Sequence, residues 1–172
     1  MLHPETNKHW YNFCSTAALL VSNGRRDPLV LALLATESFF RPSTHRAFEA
    51  VYWLIMNFIS PKRSEFISVG ISQVQVRHWQ VAGIIPRTTS VVSTLMKLYN
   101  PLLNYDACRY VISTESRNHE EPEEILRAYT GQATGYHISV FRRFLERAMS
   151  LSVEDKPSAL TMRPSRRGKP GG

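Results

Sequence analysis

The chain has 172 residues, enough for one ordinary domain, and its 43% hydrophobic and 20% charged residues give a globular balance that excludes a disordered chain. Lysine and arginine number 21 against 14 acidic residues, a formal net charge of +7. Two cysteines exclude a disulfide-built scaffold and a four-cysteine zinc module, and no apolar run approaches the roughly 18 residues that a membrane-spanning helix needs.

The first apolar stretch, Phe13 to Val21, is typical of a helix and not of an export signal. Only Lys8 is clearly cationic before it, Glu5 opposes that charge, and no small-x-small cleavage site follows. The dipeptide Asn23-Gly24 is a helix-ending signal. We therefore expect this stretch to be the first helix of the domain.

The next segment predicts a helix buried on every side. Asp27 can cap its start, Pro28 suits the first helical position, and residues 29–35 are all apolar. Glu37 is the only ionisable residue between Asp27 and Arg41, and Arg41 with the proline after it predicts the end of the helix.

The carboxyl group of Glu37 is expected to leave this helix on an apolar face. Val30, Leu33 and Leu34 precede it by seven, four and three residues, which are the same-face spacings of an α-helix. Burial raises the pKa of a carboxyl group, and a raised pKa suits a general acid near neutral pH. The alternative is a buried glutamate paired with an arginine or with backbone donors.

The remaining segments predict a mainly α-helical domain with one small extended or hairpin excursion. Residues 43–60 form a helix with a broad apolar face, and residues 66–76 alternate in polarity like an extended piece. Further helices are expected near His78 and Trp79, over Val91 to Leu98, from Asn104 through Ile112, from Pro122 to Gly131, and over Tyr136 to Met149.

Four short motifs follow one another along the chain. They are Glu37-Ser38-Phe39-Phe40-Arg41-Pro42, Gly70-Ile71-Ser72-Gln73, Asn100-Pro101-Leu102-Leu103-Asn104 and Ala128-Tyr129-Thr130-Gly131. In this order they resemble the soluble lytic transglycosylase (SLT-domain) family, whose pattern is Glu-Ser followed by x-Phe-x-Pro, then Gly-Leu-Met-Gln, Asp-Pro-x-x-Asn and Ala-Tyr-Asn-x-Gly. The resemblance covers roughly Asn23 to Met149 and implies a lysozyme-like fold of the goose type.

The sequence departs from the family pattern at three points. Ile71-Ser72 replaces Leu-Met, Thr130 replaces Asn, and the spacing from Glu37 to Gly70 is longer than the family usually shows. The longer spacing predicts that residues 43–65 contain an inserted helix near the cleft.

The resemblance implies a peptidoglycan lytic transglycosylase, a glycan-cleaving lyase of cell-wall degradation that needs no cofactor and no metal. Such an enzyme cleaves the β-1,4 bond between N-acetylmuramic acid and N-acetylglucosamine with one carboxyl group, here Glu37, and leaves 1,6-anhydro ends. Ser38 and Tyr129 would orient Glu37 or the acetamido group, Gln73 would hydrogen-bond the N-acetyl sugar, and Gly70 would let the backbone approach it. The substrate-binding residues implied are Ser38, Gly70, Gln73, Tyr129 and Thr130.

The sequence leaves three other functions open. A hydrolytic lysozyme (muramidase) of the same fold would need a second carboxylate, and the candidates, Glu49 and Glu65, lie in segments typical of a helix surface and an exposed turn. A module that binds the cell wall without cleaving it would fit Thr130 in place of Asn. A DNA-binding module would use the positive charge, but no helix has a dense basic face, so nucleic acid is not the partner we expect.

A few other residues are weak candidates for a functional role. His45 and Glu49 have a metal-ligand spacing, but no third ligand is evident nearby. Cys14 and Cys108 lie inside predicted helices and are typical of buried small hydrophobes, although they could pair. His78-Trp79 is either a sugar-stacking surface at the rim of the cleft or part of the edge of the core.

The chain divides into a domain over residues 1–150 and a tail over residues 151–172. The tail has five basic residues against two acidic ones, with three prolines and three glycines, so we expect a disordered basic tail that could attract a polyanion. The partners expected are peptidoglycan glycan strands, with components of a phage or a secretion machine. Action at the cell wall or in the periplasm without a clear export signal predicts delivery by a phage, a holin or a secretion apparatus.

Overall fold

Nine helices and one two-stranded hairpin make up the part of the chain that the computed structural model describes, residues 4–115, 119–131 and 133–154. The mainly α-helical class predicted from the sequence is confirmed. The helices are α1 (Pro4–Ser22), α2 (Pro28–Phe40), α3 (Ser43–Ile59), α4 (Pro61–Ser64), α5 (Val76–Val81), α6 (Val91–Leu98), α7 (Pro101–Glu115), α8 (Pro122–Thr130) and α9 (Gly135–Glu154), and the strands are β1 (Ser68–Val69) and β2 (Val74–Gln75).

Helix α2 is the central helix, as its sequence predicts. The Asp27 side chain accepts a hydrogen bond from the backbone N–H of Leu29 at 3.0 Å, and residues 30–37 are all buried. The helix packs against α1, α7 and α9. It ends where the N–H of Arg41 donates to the carbonyl of Glu37 at 3.1 Å. The buried helix therefore places Glu37 in its last turn, at the edge of the core.

The first and last helices are longer than expected. Helix α1 begins at Pro4, well before Phe13, and its end is as predicted, with Gly24 at φ +76°. Helix α9 continues past Met149 to Glu154, four residues into the segment expected to be the tail. The rest of the predicted tail, residues 155–172, lies outside the described residues.

Helix α7 begins three residues earlier than predicted. The side-chain oxygen of Asn100 accepts from the N–H of Leu102 at 2.9 Å, so Asn100 and Pro101 start α7 as well as ending α6. Asn104 is consequently the fourth residue of α7 and not its first. Its side chain is fully buried.

The extended excursion is a hairpin with a turn formed by Gly70, Ile71, Ser72 and Gln73. Its strands pair antiparallel, Ser68 with Gln75 and Val69 with Val74. Gly70 has φ +89°, and a Cβ atom there would lie 2.3 Å from the carbonyl oxygen of Leu98. Only glycine fits this backbone against the end of α6.

A second core lies under the hairpin. Trp79 is fully buried there, and its indole N–H donates to the carbonyl of Val74 at 3.2 Å, so Trp79 is a core residue and not a sugar-stacking surface. Trp53 of α3 is buried in the same cluster. Most of the apolar face expected on α3 is nevertheless exposed. Among the described helices, none has both the length and the apolar character needed to cross a membrane.

Candidate active site

The carboxyl group of Glu37 is buried, as the helix pattern predicts. Glu37 is 8% exposed. Burial raises its pKa from the ordinary value of 4.5 to about 7, the positive charge of Arg41 opposes that rise, and the negative charge of Glu49 adds to it. The Nε atom of Arg41 lies 3.9 Å from Glu37 Oε2. A carboxyl group with this pKa can donate a proton and take one back near neutral pH.

A cleft of about 410 Å³ opens beside Glu37. Glu37 is the one carboxylic acid among the described residues that line it. The rings of Phe40 and His137 stack with their centroids 3.8 Å apart and form part of the wall. The lining residues are Glu37, Phe40 and Arg41 from the end of α2, Ser68, Gln73 and Gln75 from the hairpin, and Ala128, Tyr129, Thr130, Gly131 and His137 from α8 and beyond.

Glu49 belongs to the site, and its assignment to an exposed helix surface is wrong. Its side chain is 13% exposed, and Arg41 Nη1 lies 2.5 Å from Glu49 Oε1. The amide of Gln73 donates to Glu49 Oε2 at 2.7 Å, and His45 Nδ1 lies 3.1 Å from Oε1. Each oxygen of this carboxylate therefore has at least one partner. The helix that was expected near the cleft, α3, brings Glu49 there.

Gln73 joins the hairpin turn to this ionic network. Its oxygen accepts from Arg41 Nη1 at 2.6 Å, and its amide nitrogen also donates to the carbonyl of Gly70 at 2.8 Å. Its backbone has φ +54°, the left-handed region that non-glycine residues rarely adopt. Such a conformation persists only where surrounding contacts hold it.

Asn104 supplies those surrounding contacts from the third motif. Its side-chain oxygen accepts from both the N–H and the hydroxyl of Ser72, and its amide donates to the carbonyls of Leu98 and Asn100 at 2.8 and 2.9 Å. The hydroxyl of Tyr129 donates to the carbonyl of Ser72 on the other side. The second, third and fourth motifs thus meet at one turn.

The predicted site residues divide into two groups. Gln73, Tyr129 and Thr130 line the cleft with Glu37, although the Thr130 hydroxyl donates to its own helix, at Leu126 O. Gly70 does not line the cleft. Its lack of a side chain instead lets the backbone of the turn pass close to the carbonyl oxygen of Leu98.

Ser38 lies away from Glu37's cleft. It lines a second cleft of about 330 Å³ with His9 and Arg46, and Arg46 Nη1 donates to its hydroxyl at 3.4 Å. Ser38 was expected to orient Glu37, but among the described residues the hydroxyl of Ser38 contacts Arg46 and not Glu37. Consecutive residues of an α-helix point about 100° apart, so a buried Glu37 at one cleft turns Ser38 toward another.

Several lining residues were not among the predicted site residues. Phe40 and His137 form the aromatic wall, and Gln75 follows the turn; its Oε1 is buried and has no hydrogen-bond partner in the described part of the chain. Gln75 follows Gln73 by two residues, and this spacing at the end of the hairpin turn would have been the signal for Gln75. For His137 the sequence has no signal, because α9 brings it to the cleft from far along the chain.

The other candidate groups make different contacts. Glu65 does not line the cleft, so the structure does not support it as a second carboxylate there. His45 and Glu49 form a pair with Arg41, and no group of three or more metal-ligating side chains occurs among the described residues. Both cysteines are free thiols, and burial raises the pKa of Cys108 to about 12, as fits an unreactive core residue.

The site therefore combines one buried acid, an ionic network beside it and a polar cleft. Comparison with protein-family models, curated proteins and solved structures finds no match for this chain.

Proposed function

We propose that the protein is a peptidoglycan lytic transglycosylase that uses Glu37 as its single acid and base. The observation that carries the proposal is a buried carboxyl group, with its pKa raised to about 7, at a cleft where the first, second and fourth motifs contribute lining residues. The substrate is then the glycan strand of peptidoglycan at the bacterial cell wall.

The reaction follows from one carboxyl group acting twice. Protonated Glu37 gives its proton to the glycosidic oxygen as the bond from that oxygen to the muramic C1 breaks, and the sugar's own acetamido oxygen stabilises the cationic carbon. The carboxylate of Glu37 then takes the proton of the muramic 6-hydroxyl, whose oxygen bonds to C1. No water is consumed, and Glu37 ends the cycle protonated, as it began.

The state of Glu49 favours this reaction over hydrolysis with two carboxylates. A second carboxylate acting as a base or nucleophile needs a free oxygen facing the substrate. Both oxygens of Glu49 are held by Arg41, His45 and Gln73, and Glu49 does not line the cleft. On this proposal Glu49 is a positioning residue that fixes Arg41 and Gln73.

We further infer a lysozyme-like arrangement of the domain. Support comes from a central buried helix that ends at the acid, a two-stranded hairpin packed beside that end, and a later helix end carrying Tyr129 across from the hairpin turn. The match of motif order to this arrangement is the reason for preferring it to an unrelated helical bundle.

The test is a digest of purified peptidoglycan by the wild type, Glu37→Gln and Glu65→Gln, read by mass spectrometry. We expect anhydro-muropeptides, each one water lighter than the hydrolysed product, from the wild type and from Glu65→Gln, and none from Glu37→Gln. Products with a free reducing end would replace the proposal with a muramidase. Absence of any product from a folded wild type would remove the enzymatic proposal and favour a wall-binding module.

A further inference from the structure

Helix α3 exposes a continuous apolar face on the surface of the domain. Phe48, Phe58 and Ile59 are 80%, 77% and 73% exposed. Val51, Tyr52 and Ile55, which lie between them on the same face, are each about half exposed. Six large apolar side chains over less than four helical turns form a far larger patch than scattered surface residues do, and such patches mark interaction sites.

The exposure of this face does not result from a loosely attached helix. The opposite side of α3 is well packed: Trp53 is buried in the second core, Glu49 is held by Arg41 and Gln73, and Asn57 accepts from the Ser64 hydroxyl at 3.2 Å. These three residues are spaced four apart and therefore share one face. The helix is held in place by the side that carries Glu49, Trp53 and Asn57. The described residues leave its other, apolar side uncovered.

The charges around the apolar face are positive. Between Ser43 and Ser64 the only acidic residue is Glu49, whose carboxylate is paired with Arg41 on the inward side. Lys62 and Arg63 are exposed directly after the helix, whereas Arg46 points to the second cleft, where it contacts Ser38. An apolar stripe that ends in cations is the pattern of a helix that lies in the interface of an anionic membrane.

The same charges disfavour a second copy of this chain as the partner. In a parallel pairing, Lys62 and Arg63 of the two copies would face each other. In an antiparallel pairing they would meet no acidic side chain on this face of α3, because Glu49 points inward. A second copy thus repels these cations or leaves them unpaired, which weakens association. An anionic surface instead satisfies both the apolar stripe and the cations.

We propose that the exposed face of α3 docks on the surface of an anionic phospholipid membrane. The phenyl rings of Phe48 and Phe58 enter the boundary between headgroups and acyl chains, while Lys62 and Arg63 contact lipid phosphates. Because Glu49 leaves α3 on the opposite side, docking leaves the packing of the ionic network unchanged. The proposal stands whether or not the protein cleaves glycan.

The experiment is co-sedimentation of the full chain with vesicles of equal parts phosphatidylglycerol and phosphatidylcholine, and with vesicles of phosphatidylcholine alone. We expect binding to the anionic vesicles and much weaker binding to the neutral ones. The double variant Phe48→Ser, Phe58→Ser should lose at least about tenfold in partition, since each ring no longer leaves water. The double variant Lys62→Gln, Arg63→Gln should lose roughly tenfold on anionic vesicles only.

Val92 and Met96 provide a matched control, because they are equally exposed apolar residues on α6. The double variant Val92→Ser, Met96→Ser should bind anionic vesicles as the wild type does. Unfolding by urea checks that each variant is folded, and single variants at Phe48 and Phe58 replace any double variant that is not.

Three results would overturn the proposal. One is failure of the folded wild type to bind anionic vesicles. Another is binding that the folded Phe48→Ser, Phe58→Ser variant retains in full, which would assign the affinity to other basic parts of the chain. The third is a dimer in light scattering that the same variant abolishes, in the absence of vesicle binding, which would assign the face to self-association.

Discussion

The side-chain oxygen of Asn104 accepts two hydrogen bonds from Ser72, one from the backbone N–H and one from the hydroxyl, each 2.9 Å long. Residues 32 positions apart are thereby joined in a fully buried setting. The hairpin turn that contains Gln73 is consequently held by helix α7 and does not depend on the two short strands alone. This relationship gives the Asn-Pro-x-x-Asn motif a structural role that its spacing alone does not reveal.

Replacing Asn104 with Leu, which has a similar volume, should destabilise the protein by about 3 kcal/mol or more, because the buried donors of Ser72 and the carbonyl of Leu98 lose their side-chain partner. Urea unfolding measures the change. Asn100→Ala is the comparison, since it removes only an exposed helix cap and should cost about 1 kcal/mol. Equal losses from the two variants would contradict the role given to Asn104.

Gly70→Ala should be far more damaging than Gly83→Ala. Both glycines have positive φ, but a Cβ at Gly70 meets Leu98 O at 2.3 Å, whereas nothing lies within 4 Å of one at Gly83. We expect a loss of about 1 kcal/mol at Gly83 from conformation alone, and of about 3 kcal/mol or more at Gly70. Thermal and urea unfolding of both variants test this. Comparable losses of stability would show that the backbone near Leu98 moves to make room for the added methyl group.

Glu37→Gln should stabilise the protein at neutral and alkaline pH. The folded state keeps the Glu37 proton up to about pH 7, while the unfolded chain releases it near 4.5. Between these values the folded state binds more protons, so the free energy of unfolding falls as pH rises through the interval. The variant removes that loss, giving a gain of up to about 3 kcal/mol above about pH 8 and little below about pH 4.

Urea unfolding of the wild type and Glu37→Gln across this range is the measurement. Glu146→Gln, at an exposed position on α9, is the control and should leave the pH dependence unchanged. A stability difference between wild type and Glu37→Gln that is the same at both ends of the range would refute the buried, neutral state of the acid.

Arg41→Gln and Glu49→Gln should move the alkaline limb of the pH–activity profile in opposite directions. The positive charge of Arg41 lowers the pKa of Glu37, and the negative charge of Glu49 raises it. Activity that needs protonated Glu37 should therefore extend to higher pH in Arg41→Gln and end at lower pH in Glu49→Gln. Each variant should also lose roughly tenfold or more in kcat, because Gln73 is no longer held in place.

The measurement is kcat/KM for release of anhydro-muropeptides over a range of pH. His45→Gln changes an exposed neighbour of Glu49 and serves as the milder comparison. Limbs that move the same way in both variants would show that the two charges do not act on Glu37 as described.

Local rules were enough to predict the central helix and the limits of α8. Asp27, Pro28 and the apolar residues after them determine the start and the burial of α2 without any knowledge of its neighbours. Pro122 and Gly131 do the same for the limits of α8, where Gly131 takes a left-handed φ of +74°. These signals depend on backbone geometry within one turn of helix, so tertiary packing had little to change.

The residues that were misjudged are those whose surroundings come from distant segments. Periodicity shows that α3 is amphipathic, but it does not tell which face meets the core, and here the face with Glu49 and Trp53 turns inward. For Trp79 the sequence left a rim and a core position open, and the residue follows the hairpin into the core. Ser38 is adjacent to Glu37 in sequence, yet helical geometry directs it to another cleft.

The carboxamide of Gln73 has no donor left for an arriving ligand. An amide nitrogen carries two hydrogens, and here they serve Glu49 and the carbonyl of Gly70, while the oxygen already accepts from Arg41. A sugar that takes one of these hydrogens must release either Glu49 or Gly70. Release of Glu49 would leave that carboxylate held by Arg41 and His45 alone. A sugar bound at Gln73 would thus loosen the group whose negative charge helps Glu37 keep its proton, and a single side chain links occupancy of the cleft to the charge of the acid.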